Sequence, residues 1–204
     1  MTAFLDIIAS ILFGGALFGI VMTANDIATE TQMVYSGDMM VQQMLSSTAQ
    51  LIEGEFRNIG FGVPEREQTI MRADSSSVSF LCDISRDGAI DTVKYSIGPT
   101  EELARTDNEL DRLLKRQINN EPVQDVGAVT LFHLRYFTRA GAELPVPVAS
   151  DKLQEVYMVE VTMEVQSPTA PARDPSMVKA GERDRLFSTS LWQQTRLASQ
   201  NTRR

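Results

Sequence analysis

The sequence predicts an α+β protein in which one long N-terminal helix packs on an antiparallel β-sheet. Three observations predict it: an uncharged apolar run over residues 7–24, an apolar stripe at helical spacing that continues to residue 59, and two-residue alternation of apolar and polar side chains after Pro64. The 204 residues divide accordingly into a first helical segment 1–24, a helical extension 25–60, a β domain 61–195 and a basic tail 196–204.

The first segment is apolar and long enough to approach spanning the hydrocarbon core of a bilayer as a helix. Asp6 stands at its edge, and the first Lys or Arg in the chain is Arg57. A carboxylate at such an edge is costly in lipid and normally has a partner or a function. Because a positive n-region and a small-x-small site near Ala24 are both lacking, we expect one retained span with a cytoplasmic N-terminus rather than a cleaved signal peptide.

Three glycines interrupt the apolar run: Gly14, Gly15 and Gly19. Each lowers helix propensity by about 1 kcal/mol relative to alanine. Two interpretations remain open. Small residues allow close packing between helices, and the same residues would let the segment bend or unwind locally during assembly.

The extension continues as an amphipathic helix. No proline occurs between Asn25 and Gly60, and the apolar residues recur at steps of 7, 7, 4, 7, 4 and 3. The acidic residues Asp26, Glu30, Asp38, Glu53 and Glu55 lie mostly on the remaining face. We therefore expect the apolar stripe to cover the sheet and to bury Val41, Leu45, Ile52 and Phe56; its other members are Ile27, Val34 and Ile59.

The β domain is predicted from alternation and turn residues. The expected strands are a hairpin with arms over 78–82 and 90–97 around the turn Ser85–Gly88, then 113–118, 129–137, 156–165 and a last strand over 186–192. In the strand over 156–165, Val159, Val161 and Met163 share one face, whereas Glu160, Thr162 and Glu164 share the other. Residues 101–112 are read as a loop or short helix, and residues 166–184, rich in proline, as a loop.

Composition excludes several functions. The net charge of −8 argues against nucleic acid as a partner. The single cysteine, Cys82, forms no intrachain disulfide and is expected to be a buried thiol, and the single histidine, His133, lies in a predicted strand. No catalytic or cofactor-binding motif is recognisable, so we expect no enzymatic activity and no cofactor.

One segment has the spacing of a metal loop. Asp83, Ser85, Asp87 and Asp91 match alternate positions of a calcium loop, with Gly88 nearby, but position twelve is Lys94 instead of glutamate. An Asp-rich hairpin turn explains the same residues, and we favour that interpretation.

Several stretches resemble a known family. LIEGEFRNIGFGVP (Leu51–Pro64), FLCDISRDGAIDTVKYSIG (80–98) and LLKRQINNEPVQDVGAVTLFHLRYFTRAG (113–141) are similar to the helix end, first hairpin and central sheet of type IV pilin-like proteins. The closest resemblance is to PilW-type minor pilins and to J-type pseudopilins of type II secretion. It implies a structural subunit of a pilus or pseudopilus that partners other pilin-like subunits, inner-membrane assembly machinery and lipid.

The resemblance also assigns assembly residues. Pilin precursors carry a charged leader that ends in glycine, and a glutamate follows at the fifth mature position; this sequence shows no such leader. If Met1 is removed, however, Thr2 becomes the first residue and Asp6 the fifth. We expect Asp6, Thr2, Gly14, Gly15 and Gly19 to serve assembly. The alternative is a single-span membrane-anchored periplasmic adaptor that binds a partner without polymerising.

Overall fold

A computed structural model describes residues 2–64, 68–106, 108–167 and 190–198. It confirms the α+β class: one helix precedes an all-antiparallel β region. The helix α1 runs over Thr2–Arg57. The strands are β1 Ile70–Ala73, β2 Ser77–Cys82, β3 Asp91–Ile97, β4 Arg112–Ile118, β5 Gln124–Val129, β6 Leu131–Phe137, β7 Glu143–Leu144, β8 Met158–Gln166 and β9 Ser190–Ala198.

The strands form two sheets, where the sequence suggested one. A five-stranded sheet has the order β1-β2-β3-β4-β5, and a four-stranded sheet has the order β7-β6-β8-β9. Alternation missed β1 because a register shift between Ile70 and Arg72 leaves two exposed residues between its buried ends. It missed β5 because that strand has few large apolar residues and contains Gly127.

The last strand differs from the expectation of 186–192. Residues 186–189 lie outside the described part of the chain, and β9 pairs with β8 along its whole length, from Gln166 opposite Ser190 to Met158 opposite Ala198. The sheet therefore continues past the expected boundary at residue 195, so Arg196, placed in the basic tail by the sequence, lies in a strand. Most of the predicted loop 166–184 also lies outside the described residues.

The second half of α1 packs where the two sheets meet. The predicted residues Val41, Leu45, Ile52 and Phe56 are all buried, as is Ile59. The helix contacts β8, β9 and β5. Phe56 also makes edge-to-face contacts at 5.5 Å with Phe80 of β2 and Tyr95 of β3. The stripe begins to be buried only at Val41, since Ile27 is exposed and Val34 is half-buried.

A tight turn fixes the end of the helix. Gly60 and Gly62 both have positive φ, at 76° and 77°, which L side chains rarely adopt. A Cβ on Gly62 would also lie 2.9 Å from the Cβ of Asp83. The Gly60 amide donates to the Leu81 carbonyl at 2.8 Å, and the Asp83 amide donates to the Phe61 carbonyl at 2.8 Å. These bonds tie the helix end to β2.

Candidate functional site

The N-terminal part of α1 projects from the β region with its apolar side chains exposed. Large apolar side chains are exposed along it from Phe4 to Met40, apart from the half-buried Val34, and Phe13 and Met39 are each 72% exposed. An 18-residue window of this helix has a mean hydropathy of 2.2 and no buried residue. By length and composition the helix is long and apolar enough to cross a membrane. An exposed apolar surface of this size marks a site of interaction with a membrane or with another protein.

Asp6 lies on the second turn of this projecting part. Its side chain is exposed. The ion pairs of the described residues do not include it. Thr2 begins the helix one turn earlier. The structure therefore places both predicted assembly residues at the far end of the helix, away from the β region.

The predicted assembly glycines lie in the middle of the projecting part, within an unbroken helix. Beyond its chain neighbours and the backbone of its own helix turn, a Cβ built on Gly14, Gly15 or Gly19 would meet no atom within 4 Å, so these glycines do not serve packing within the described chain. A shallow groove beside Gly19 is lined mostly by small residues, Ala16, Thr23 and Ala24 among them. This face would let another helix approach closely.

The structure corrects the prediction for Glu55, which the sequence analysis grouped with the acidic residues of the polar helix face. It is 7% exposed, and its carboxylate accepts hydrogen bonds from the Tyr95 hydroxyl and from two nitrogens of Arg116. The Nε of Arg116 lies 3.0 Å from Oε2. Burial and the neighbouring Glu55 raise the pKa of Tyr95, and the hydrogen bond with Glu55 raises the pKa of Arg116. Because breaking such a buried pair is costly, it fixes the helix on β3 and β4.

A signal for this buried carboxylate was present in the sequence. Glu55 follows Ile52 by three residues and precedes Ile59 by four, so it lies on the apolar stripe itself.

Glu160 is a second buried carboxylate that the sequence did not reveal. The alternation placed it on the outer face of β8, yet it is 1% exposed because its two strand neighbours cover it. Arg135 on β6 donates to Oε1 at 2.9 Å, and Arg196 on β9 donates to Oε2 at 2.6 Å. Both guanidinium groups also lie over the ring of Phe137, at 5.3 and 5.4 Å. This cluster joins the three longer strands of the second sheet.

The cluster predicts a pH dependence of stability. Burial acts to raise the pKa of Glu160, but hydrogen bonds from Arg196, Gln194 and Arg135 outweigh it, and the pKa is lowered overall. A carboxyl with a lowered pKa in the folded state stabilises the fold above its unfolded pKa, and this stabilisation is lost as pH falls through the folded value. The melting temperature of a Glu160→Gln variant is therefore expected to fall less than that of the parent between pH 7 and pH 3. Parallel melting curves across that range would contradict this role.

The aspartates of the 83–91 loop hold its backbone. Asp83 accepts from the amides of Asp87 at 3.1 Å and Gly88 at 3.0 Å, and Asp91 accepts from the amide of Ile84 at 3.3 Å. These hydrogen bonds explain why Asp83 and Asp91 occur in this loop, which is the hairpin turn that we favoured. Within the part of the chain that the structure describes, no three His, Cys, Asp or Glu side chains are grouped to hold a metal ion.

The single cysteine and the single histidine of the chain both lie in strands. Cys82 is buried at the end of β2, as expected, and burial together with Glu55, Asp91 and Asp83 raises the pKa of its thiol to about 12. Its reactive thiolate form is therefore scarce at neutral pH. His133 is half-buried in the middle of β6.

No protein-family model, no curated protein and no solved structure matches this chain.

Proposed function

We propose that the chain is a minor pilin-like structural subunit of a type IV pilus or of a type II secretion pseudopilus, acting in filament assembly or initiation. The observation that carries the proposal is the projecting part of α1, about 60 Å of exposed helix with an uncharged apolar surface over residues 7–24, attached to a folded β region. A lipid bilayer can cover this surface before assembly, and the helices of other subunits can cover it afterwards.

Two further features support a role in assembly. The helix carries one acid, Asp6, near its far end, and open space beside its glycines admits a neighbouring helix. The proposed partners are other pilin-like subunits, the inner-membrane assembly machinery and lipid. The β region would lie on the periplasmic or extracellular side. The subunit would act by contact, without a cofactor or catalytic step.

A membrane-anchored periplasmic adaptor is the second candidate. The length and apolarity of the helix favour it equally, since a monomeric anchor needs the same span. The two functions differ in whether the apolar face contacts other helices.

Crosslinking distinguishes them. A cysteine introduced by Ala16→Cys lies in the groove beside Gly19 and is expected to crosslink to helices of neighbouring subunits in membranes that contain the assembly machinery. The native Cys82 is buried and does not compete. Glu121→Cys, on an exposed turn of the β region, is the matched control and is expected to crosslink less. A chain that remains monomeric with Ala16→Cys would support the adaptor.

A further inference from the structure

The second sheet ends in an open edge. β9 is its last strand, and among the described residues no strand pairs with the side of β9 that faces away from β8. In an antiparallel sheet, every second residue of such a strand directs its N–H and C=O groups away from the sheet. Because β9 is nine residues long, its outer edge presents a row of backbone donors and acceptors to which another strand can be added.

The other sheet edges have features that discourage strand pairing, whereas β9 lacks them. β7 has two residues, β1 has four and a register shift, and β5 pairs through a register shift and contains Gly127. β9 pairs with β8 without a shift and contains no Pro, Gly or Lys. Its one charged residue, Arg196, donates to Glu160 at 2.6 Å. The longest edge among the described strands is therefore also the least protected.

A groove runs beside this edge. Its volume is about 310 Å³, and it lies between Leu191 and Gln193 of β9 and a row on α1 that includes Gln42, Ser46 and Gln50. These three side chains are exposed and uncharged. The sheet covers the neighbouring buried stripe of α1 through β8 and β9 but stops before this row. A fifth strand that continued the sheet would cover it.

Trp192 adds a recognition element to the same edge. It points to the face of the sheet opposite α1 and is 62% exposed, although tryptophan is among the residues that bury most area at interfaces. Side chains directly opposite each other on neighbouring strands lie about 5 Å apart. A residue of an added strand would therefore contact the indole ring.

We propose that the outer edge of β9 binds an extended segment of a partner protein as the fifth strand of the second sheet. The edge would recognise the backbone of that segment, uncharged side chains over the groove and an apolar side chain beside Trp192. The inference goes beyond the proposed function and does not depend on it, because a membrane-anchored adaptor would bind a partner at the same edge.

A second copy of this chain does not fit the edge. Antiparallel pairing of β9 with the β9 of another copy relates the two by a twofold axis normal to the sheet. Because α1 lies against the face of that sheet, this rotation reverses its direction, and the two apolar spans would not enter one membrane in the same orientation. The remaining edges of a copy are short or interrupted. A different partner also suits a minor subunit, which meets unlike proteins.

The first test uses the full-length chain in detergent and a nine-residue peptide with the sequence of β9 that carries Trp192→Phe. Trp192 of the protein is then the only tryptophan in the sample, and its emission should shift to shorter wavelength as the peptide covers it. Two further peptides carry N-methyl groups on alternate amides, one at even and the other at odd positions. Strand addition uses one edge of the peptide, so one of them should bind at least about tenfold more weakly and the other like the parent peptide. Equal binding of the two, or no binding of the parent peptide, overturns the proposal.

Helix variants locate the bound peptide. Ser46→Arg places a long cation in the groove and should weaken binding at least about tenfold. Ser47→Arg is the matched control, since Ser47 is exposed on the same helix but does not line the groove, and should have no effect. Equal effects of the two variants would show that the peptide binds elsewhere or replaces β9, and would overturn the site. Binding that appears only after deletion of residues 170–185 would assign the edge to the chain itself and overturn the partner.

The partner is tested in membranes that contain the assembly machinery. A photoreactive residue in place of Gln194, which is exposed on β9, should label a different protein. Both Ser46→Arg and an excess of the peptide should lower this labelling at least about tenfold. Labelling that neither changes, labelling of another copy of this chain, or no labelling overturns the proposal. Ala16→Cys crosslinks are measured separately: if they form while Gln194 labels no partner, the edge inference fails and the filament proposal stands, and the reverse result favours the adaptor.

Discussion

Replacing Asp6 with alanine is expected to leave membrane insertion intact and to abolish incorporation of the subunit into filaments. The exposed Asp6 carboxylate lies at the far end of an apolar helix. Once neighbouring helices surround that end, the local dielectric constant falls, and an unpaired carboxylate becomes costly. The α-amino group of an adjacent subunit can neutralise it. Removing the carboxylate removes this pairing and the alignment of subunits that it selects.

The measurement compares the filament-associated fraction with the membrane-bound pool. A loss of more than about tenfold in the filament fraction, at an unchanged membrane level, is the expected result. Ser10→Ala is the matched control because Ser10 lies one turn further along the same face and is also exposed. Its incorporation should equal that of the parent. Normal incorporation of Asp6→Ala would remove Asp6 from the assembly mechanism.

Phe56→Ala is expected to lower the free energy of unfolding of the β region by about 3–5 kcal/mol. Phe56 is fully buried and lies edge-to-face against Phe80 and Tyr95, so its removal leaves a cavity between α1 and the first sheet. Its neighbour Glu55 is held by Arg116, which limits how far the helix can shift to fill that cavity.

The measurement is chemical denaturation of a fragment that begins near residue 25, because the buried core starts only at Val41. Leu51→Ala is the matched control. Leu51 lies on the exposed side of the same helical segment and should change stability by less than about 0.5 kcal/mol. A Phe56→Ala fragment that unfolds at the denaturant concentration of its parent would show that α1 does not dock as described.

The helix and its docked face could be predicted because their signal is repeated along the chain. The steps between Val41, Leu45 and Ile52 fit one side of a helix, and several independent positions agree on the same face. Alternation likewise identified β2, β3 and β8, whose inward residues are large and apolar. These elements depend on local periodicity, which a sequence displays directly.

The division into two sheets could not be predicted, because it depends on which strands pair across long distances. The same limit applies to the buried carboxylates. Glu55 and Arg116 are 61 residues apart, and Glu160 is covered by arginines from two other strands. The predicted assembly residues are different in kind: Asp6 is exposed and Gly19 has open space beside it, so the roles proposed for them concern contacts with other molecules.

The way α1 enters the β region has a mechanical consequence. The helix leaves that region at one end only, and its docked residues from Val41 to Phe56 lie along its own axis. A pull on the N-terminal end therefore acts parallel to the docked surface and loads Phe56 and the Glu55–Arg116 pair in shear. These contacts bear the load at the same time, because a force along the helix axis cannot break them one after another. The β region would then withstand tension along the helix better than a force that lifts the helix sideways.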